Sequence, residues 1–167
     1  MLGTRPRTLG GIPPQPMRYT ICPCTRSDDD AWLALRRALF PQHADALLRA
    51  EMERFVAQPD RHAQFLVIDE EGAPAGLAEV ALRVTVVPGR PGTPVTLLEA
   101  IYVAPHARRH GIASALVAQA RAWGRARGCE AFASDALLDN ADGLALHRAL
   151  GFDETARNAC LGQGSTG

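Results

Sequence analysis

An α/β domain is what this sequence predicts, and three features carry the prediction. Short apolar runs of strand length alternate with longer stretches in which apolar residues recur at helical spacing. A turn signal, Glu70-Glu71-Gly72, separates two of the strand-like runs as in a hairpin. Most informative is the segment Ile101-Tyr-Val-Ala-Pro-His-Ala-Arg-Arg-His-Gly-Ile-Ala113, a strand that passes through a glycine turn into a long helix. At 167 residues and 47% hydrophobic content the chain has the size and core content of one globular domain.

Residues 1–16 hold Arg5, Arg7, Gly10, Gly11, Pro13, Pro14 and Pro16 but no apolar core of signal-peptide length. They are expected to form a disordered leader to a single domain over residues 17–167, with Met17 an alternative translation start. A short strand is expected over 19–22. Ser27-Asp-Asp-Asp30 then supplies an N-cap and acidic first turn for a helix that runs to Phe40, where Pro41 breaks it. A second helix over 44–57 has Leu47, Leu48, Met52, Phe55 and Val56 along one stripe. Phe65, Leu66, Val67 and Ile68 mark a buried strand over 64–69, and the hairpin returns through 75–87.

Residues 88–94, Pro-Gly-Arg-Pro-Gly-Thr-Pro, read as a surface loop too broken for a strand or helix. A central strand follows over 95–103, then a helix over 109–127 stopped by Gly128, a strand over 129–134 and a helix over 142–150. A last strand over 152–161 is weak, because Ala156-Arg-Asn-Ala-Cys160 has little β-branched character.

Composition narrows the partners. Lys plus Arg (18) balances Asp plus Glu (18), so the chain lacks the basic field that collects nucleic acid, and a charged partner must be recognised locally. Cys22, Cys24, Cys129 and Cys160 form no C-x-x-C pair and no paired-histidine spacing, so no metal site is expected and the thiols read as reduced, in a cytoplasmic protein. No stretch is apolar over a membrane-spanning length.

The strand ending at Pro105 and the helical pattern restarting at Ile112, with Leu116, Val117 and Ala120, leave backbone N–H groups free at a positive helix end. Arg108 and Arg109 add charge where an anion would sit, which suits a pyrophosphate. Arg108-x-x-Gly111-x-Ala113 resembles the [Q/R]-x-x-G-x-[G/A] signature of the GCN5-related N-acetyltransferases, and Leu146-His-Arg-Ala-Leu-Gly-Phe152 resembles their later helix ending in Leu-Gly-Phe. The resemblance implies an α/β fold with a mixed, mostly antiparallel sheet of six or seven strands flanked by about four helices, and acetyl-CoA as co-substrate. It implies that Arg108, Arg109, His110, Gly111, Ile112 and Ala113 hold the pyrophosphate, and that the backbone of Ile101, Tyr102 and Val103, freed by a strand bulge, holds the pantetheine arm and acetyl oxygen. Asn140 matches an asparagine that bonds the arm, although a helix N-cap would look the same. His147 stands where many of these enzymes carry a tyrosine that protonates the coenzyme sulfur; a histidine bonded to backbone is the alternative.

The remainder is similar to one subfamily, the aminoglycoside 6'-N-acetyltransferases. Phe40-Pro-Gln-His43 resembles its Trp-Pro-x-His step, Leu98-Glu-Ala-Ile-Tyr-Val103 its Leu-Glu-Gly-Ile-Phe-Val, and Cys129-Glu-Ala-Phe-Ala-Ser-Asp135 its Cys-x-x-x-Ala-Ser-Asp. His147-Arg-Ala-Leu-Gly-Phe-Asp-Glu-Thr155 follows the same wording. The subfamily's substrate pocket maps onto Phe40, His43, Glu79, Glu99 and Asp135, with Asp135 orienting and deprotonating the amine. Strand alternation places Glu99, Ile101 and Val103 on one face. The alternatives are a salt bridge from Glu99 to Arg83 and a turn or cap role for Asp135, while Trp32 reads as a core residue rather than a substrate platform. The subfamily's Asp-Tyr-Val step is Thr85-Val86-Val87 here, which thins the pocket lining.

The expected function is transfer of acetyl from acetyl-CoA to the 6'-amine of an aminoglycoside by direct attack, in a homodimer. Acetylation of a polyamine, small metabolite or protein amine, and acyl-CoA sensing without turnover, are the rivals.

Overall fold

The computed structural model describes residues 17–27, 29–87, 90–135 and 140–153. Its elements are β1 (Tyr19–Pro23), α1 (Asp30–Leu39), α2 (Asp45–Val56), β2 (His62–Asp69), β3 (Pro74–Val87), β4 (Arg90–Val103), α3 (Ile112–Arg125), β5 (Ala131–Ser134) and α4 (Ala141–Ala149), with a single 3-10 turn at Pro105–Ala107. The strands form one sheet in the order β1-β2-β3-β4-β5, antiparallel except for the parallel β4–β5 pair. The sheet is mixed and mostly antiparallel, as expected, with five strands among the described residues rather than six or seven. The strand expected over 152–161 lies almost wholly outside them.

Alternation along the strands divides two cores. Phe65, Val67, Ala78, Val80 and Leu98 face Ile112, Leu116, Val117 and Ala120 of α3. On the opposite face Leu66 and Leu77 meet Trp32, Leu33, Leu48, Met52 and Phe55 of α1 and α2. The helices therefore sandwich the sheet, each burying one apolar stripe. Asp29 begins α1, its side chain accepting the N–H of Trp32 at 2.8 Å.

The expected loop over 88–94 is corrected in part: Arg90 to Pro94 already belong to β4, where Thr93 pairs with Thr85 and Pro94 with Val84. Pro94 precedes the β4–β5 ladder, which begins at Val95, so among the described residues this stretch is an edge, where strands tolerate proline.

Glycines allow α3 to lie close on the sheet. A Cβ on Gly124 would come within 1.8 Å of Oγ1 of Thr96, and one on Gly76 within 3.1 Å of Ile112. Among the described residues no helix is long and apolar enough to cross a membrane.

Candidate active site

The β3–β4 ladder skips one residue: Glu79 pairs with Ala100 and Val80 with Leu98, which leaves Glu99 as a bulge. Beyond it the facing of side chains reverses. Leu98, Ile101 and Val103 pack on the α3 side, whereas Tyr102 packs with the α1–α2 core. The extra residue overturns the expectation that Glu99 shares a face with Ile101 and Val103. Glu99 instead borders a cleft of about 240 Å³ on the α2 side, with Phe55, Gln58, His62 and Arg83.

The same place is where the sheet opens. The β4–β5 ladder runs from Val95 with Ala131 to Leu98 with Ser134 and ends there. Residues 100–103 of β4 keep β3 on one side and, among the described residues, have no strand on the other. Backbone groups alternate between the two sides, so those of Ile101 and Val103 face the gap, whereas Tyr102 turns its own toward β3, against the expectation that it too serves the coenzyme. Part of this supply is claimed: Arg108 donates from Nε to the Val103 carbonyl at 3.2 Å.

The turn that follows presents an anion site. Gly111 is the N-cap of α3 in the left-handed conformation (φ 75°), with no side-chain cap, and Arg109 also has positive φ (68°). The first N–H that α3 returns to a carbonyl is that of Ala115, on Gly111, so those of Ile112, Ala113 and Ser114 point out of the helix end. A Cβ on Gly111 would meet nothing within 4 Å, so the space beside this cap is open. Arg108, Arg109 and His110 are exposed around it. Residues and space together suit a bound pyrophosphate.

Asn140 is the N-cap of α4, its Oδ1 accepting the Gly143 N–H at 2.9 Å. That settles the cap; the amide nitrogen is the donor left for a second partner. Further along α4, His147 uses both ring nitrogens, Nδ1 at 2.7 Å from the Gly143 carbonyl oxygen and Nε2 at 2.7 Å from Oγ of Ser134. Ser134 also donates to the Leu98 carbonyl at 3.0 Å. Asp135, next in the chain, is exposed at the open end of β5.

The expected acidic pocket is rearranged. Glu79 is not a free carboxylate: it is 3% exposed, and its Oε1 accepts from Trp32 Nε1 and from an Arg36 guanidinium nitrogen, each at 2.7 Å. Burial pushes its carboxyl above the usual range; the charge and hydrogen bond of Arg36 and the indole bond of Trp32 pull it back, and Glu99 adds to the rise. Arg36, 2% exposed, also pairs with Glu51 and lies between the Phe40 and Phe55 rings, 5.5 and 5.4 Å from their centroids. Trp32 is core, as expected.

Glu99 is paired with Arg83, the alternative named for it, and His62 Nδ1 stands 3.8 Å away. His62 is partly buried, which lowers its pKa, with Glu99 pulling it upward. Phe40 and His43 stack at 5.4 Å between centroids in the α1–α2 turn, and His43 Nδ1 is enclosed without a hydrogen-bond partner. His106 stands 3.6 Å from Asp69, which caps the β2–β3 turn.

Sequence reasoning missed Arg36 and Ser134. Arg36 is four residues from Trp32 on the buried stripe of α1, a spacing that aims both at one point. Ser134 carried a signal only as part of the Ala-Ser-Asp motif. Among the described residues no group of three or more His, Cys, Asp or Glu side chains is placed to hold a metal.

Comparison with known proteins agrees with this geometry. Residues 30–152 match the acetyltransferase (GNAT) family. An aminoglycoside N(6')-acetyltransferase type 1 of Serratia marcescens is 46% identical over 134 residues, 80% of this chain and 91% of that protein. The structure of aminoglycoside N-acetyltransferase AAC(6')-Iy in complex with CoA superposes with a TM-score of 0.79 at 32% identity, covering 91% of this chain and 99% of that one. AAC(6')-Iy in complex with the bisubstrate analogue CoA-S-monomethyl-acetylneamine gives 0.78 at 33% identity, covering 88% and 99%. With its split sheet, glycine-capped helix and a match over most of its length, this chain belongs to the acetyltransferase (GNAT) family.

Proposed function

We propose that the protein acetylates the 6'-amine of an aminoglycoside with acetyl-CoA as donor, and so protects a bacterium from that drug. The observation that supports the reading is the opening between β4 and β5, which begins at Glu99, on the edge of the cleft, in a fold shared with the bisubstrate complex. Acetyl-CoA supplies a thioester acyl group activated for attack.

The chain's own residues do the rest. N–H groups at the start of α3, with Arg108 and Arg109, hold the pyrophosphate, and the backbone groups of Ile101 and the N–H of Val103, with the Asn140 amide, hold the arm and stabilise the developing oxyanion. Asp135 and Glu99 orient the ammonium, Asp135 accepts its proton directly or through water, and His147 or solvent gives a proton to the CoA thiolate released as the amine bonds the acetyl carbon and the C–S bond breaks. Phe40 and His43 close the acceptor side. The working unit in this reading is residues 17–167, acting in the cytoplasm. It is a homodimer, supported by the unpaired outer edge of β5 among the described residues.

Thiol release with kanamycin, spermidine and a peptide panel tests the assignment, and sedimentation tests the dimer. Kanamycin should be turned over and should lose potency in a susceptible host expressing the enzyme. One observation favours a second reading: Arg54, Arg61 and Arg83 line the cleft beside Glu99, which suits an amine that also carries an anionic group. Turnover of such an amine with no activity on kanamycin would select it.

A further inference from the structure

We propose that Ser134 is a positioning residue of the transfer site, its hydroxyl coupling the proton inventory of His147 to the Leu98 carbonyl at the point where β4 and β5 separate. Four groups stand in line: Gly143 carbonyl, His147 ring, Ser134 hydroxyl and Leu98 carbonyl, with contacts of 2.7, 2.7 and 3.0 Å. Counting hydrogens decides how they bond. Both carbonyl oxygens only accept. The contact at Gly143 therefore needs a hydrogen on Nδ1, and the contact at Leu98 uses the single hydrogen of Ser134. The middle contact then needs a hydrogen on Nε2.

All three bonds coexist only when the ring is the imidazolium. A neutral ring keeps its hydrogen on Nδ1, presents a lone pair at Nε2 and draws the Ser134 hydrogen to itself, which releases Leu98. When the ring loses its Nε2 proton to solvent or to a neighbouring base, the side-chain bond from Ser134 to Leu98 is broken at the last pair of the β4–β5 ladder, one residue before the bulge at Glu99. Gly143 is held at both ends, its N–H by Asn140 and its carbonyl by His147, so the cap of α4, the ring and the mouth of the split form one connected unit.

Among the described residues, the charged groups around the ring are Asp142 and Arg148 on α4 itself, and Arg121 of α3, which lies over the Phe132 and Phe152 rings. Asp135 and Asp153 adjoin Ser134 and Phe152 in the chain, and Phe152 meets the imidazole edge-on at 5.3 Å. None of these takes a ring nitrogen, which leaves Ser134 as the partner of Nε2. The catalytic consequence rests on the reading that the acetyl thioester occupies the split.

The test is nuclear magnetic resonance on the full chain without coenzyme, with kinetics alongside. Histidine ¹⁵N spectra and the Leu98 carbonyl ¹³C shift are followed from about pH 5 to 8, where imidazoles ordinarily change charge. The expected result is a neutral His147 protonated on Nδ1 and a Leu98 carbonyl signal that titrates with the same midpoint as the ring. Ser134→Ala should abolish the Leu98 response and Ser134→Thr should keep it. In turnover, Ser134→Ala should lower kcat by roughly tenfold to a hundredfold, the scale of a misplaced reacting group, with acceptor KM nearly unchanged and Ser134→Thr restoring the rate. A Leu98 carbonyl that ignores the His147 titration, or a neutral ring protonated on Nε2, overturns the coupling whatever the enzyme acetylates. Spectra as expected with wild-type kcat in Ser134→Ala overturn the role in transfer.

Discussion

Arg83, on β3, reaches across the ladder to the carboxylate of Glu99, so the acidic group at the bulge meets a guanidinium before any substrate arrives. An acceptor amine that used Glu99 would compete with that partner. Arg83 is more than half exposed, and such a pair contributes about 0.2–1 kcal/mol.

Arg83→Ala should therefore lower the KM for kanamycin by about 1.5- to 5-fold, as that energy converts, while Glu99→Gln raises it. Both effects should shrink with added salt, which screens exposed charges. Steady-state kinetics at two ionic strengths check this. A KM for Arg83→Ala at or above the wild-type value would show that Glu99 is not used for the acceptor.

Arg36 offers a pH-dependent prediction. Burial raises the Glu79 carboxyl, and Arg36 is the chief influence opposing the rise. An acid raised in the fold contributes stability that is fully present below its unfolded value, about 4.3, and lost as pH rises through its folded value. Arg36→Met removes the counter-charge and raises Glu79 further. Its penalty in urea denaturation should be smallest near pH 4 and grow toward neutrality, reaching about 3–5 kcal/mol, the cost of breaking a buried pair. An equal penalty at both ends of that range would mean that Glu79 carries no charge in the fold.

Local patterns made much of this legible. The turn into α3 could be read because a glycine, two arginines and a restarting helical stripe are neighbours in the chain, and Gly111 does adopt the left-handed conformation the turn requires. What escaped depends on partners far away in sequence. Residues 90–94 look unstructured by composition, yet pairing with β3 makes them a strand. The face assigned to Glu99 failed by one residue, because a bulge shifts a period-two pattern without leaving a mark in it. Glu79 looked like a pocket carboxylate since nothing on its own strand reports that Trp32 and Arg36 descend on it from α1.

Close approach of α3 to β4 yields a packing prediction. Gly124→Ala would put a methyl 1.8 Å from Thr96 Oγ1 and 2.9 Å from its Cβ, in a site where Thr96 is fully buried. Overpacking of this kind costs about 1–3 kcal/mol. The melting temperature should fall by roughly 2–4 °C per kcal/mol for a chain of this size. Thr96→Ala in the same chain should recover part of the loss, since it removes the nearest atom, and a double-mutant cycle measures that coupling.

Gly111 separates strain from obstruction. Its positive φ makes any side chain cost about 1–2 kcal/mol in the fold, while the surrounding space lets an added methyl fit without contact. Gly111→Ala and Gly111→Glu should thus lose similar stability and differ in coenzyme binding. The carboxylate projects into the space before the helix end and repels a pyrophosphate there. Calorimetry with CoA should show binding weakened in Gly111→Ala and abolished in Gly111→Glu. Equal affinity in both would move the coenzyme to another part of the surface.

Asp135 supplies the last prediction. Its position beside Ser134, where β5 leaves β4, puts an exposed carboxylate at the mouth of the split. Nothing in the described structure uses it as a cap: α4 is capped by Asn140. If it accepts the ammonium proton, Asp135→Asn keeps the shape and loses the base, so turnover should fall about 10²–10⁴-fold at neutral pH while CoA affinity is unchanged. The loss should narrow at higher pH, where more of the amine arrives already deprotonated and needs no base. A pH-rate profile of Asp135→Asn parallel to that of the wild type would instead assign the residue to binding the charge of the acceptor, with the proton leaving through water.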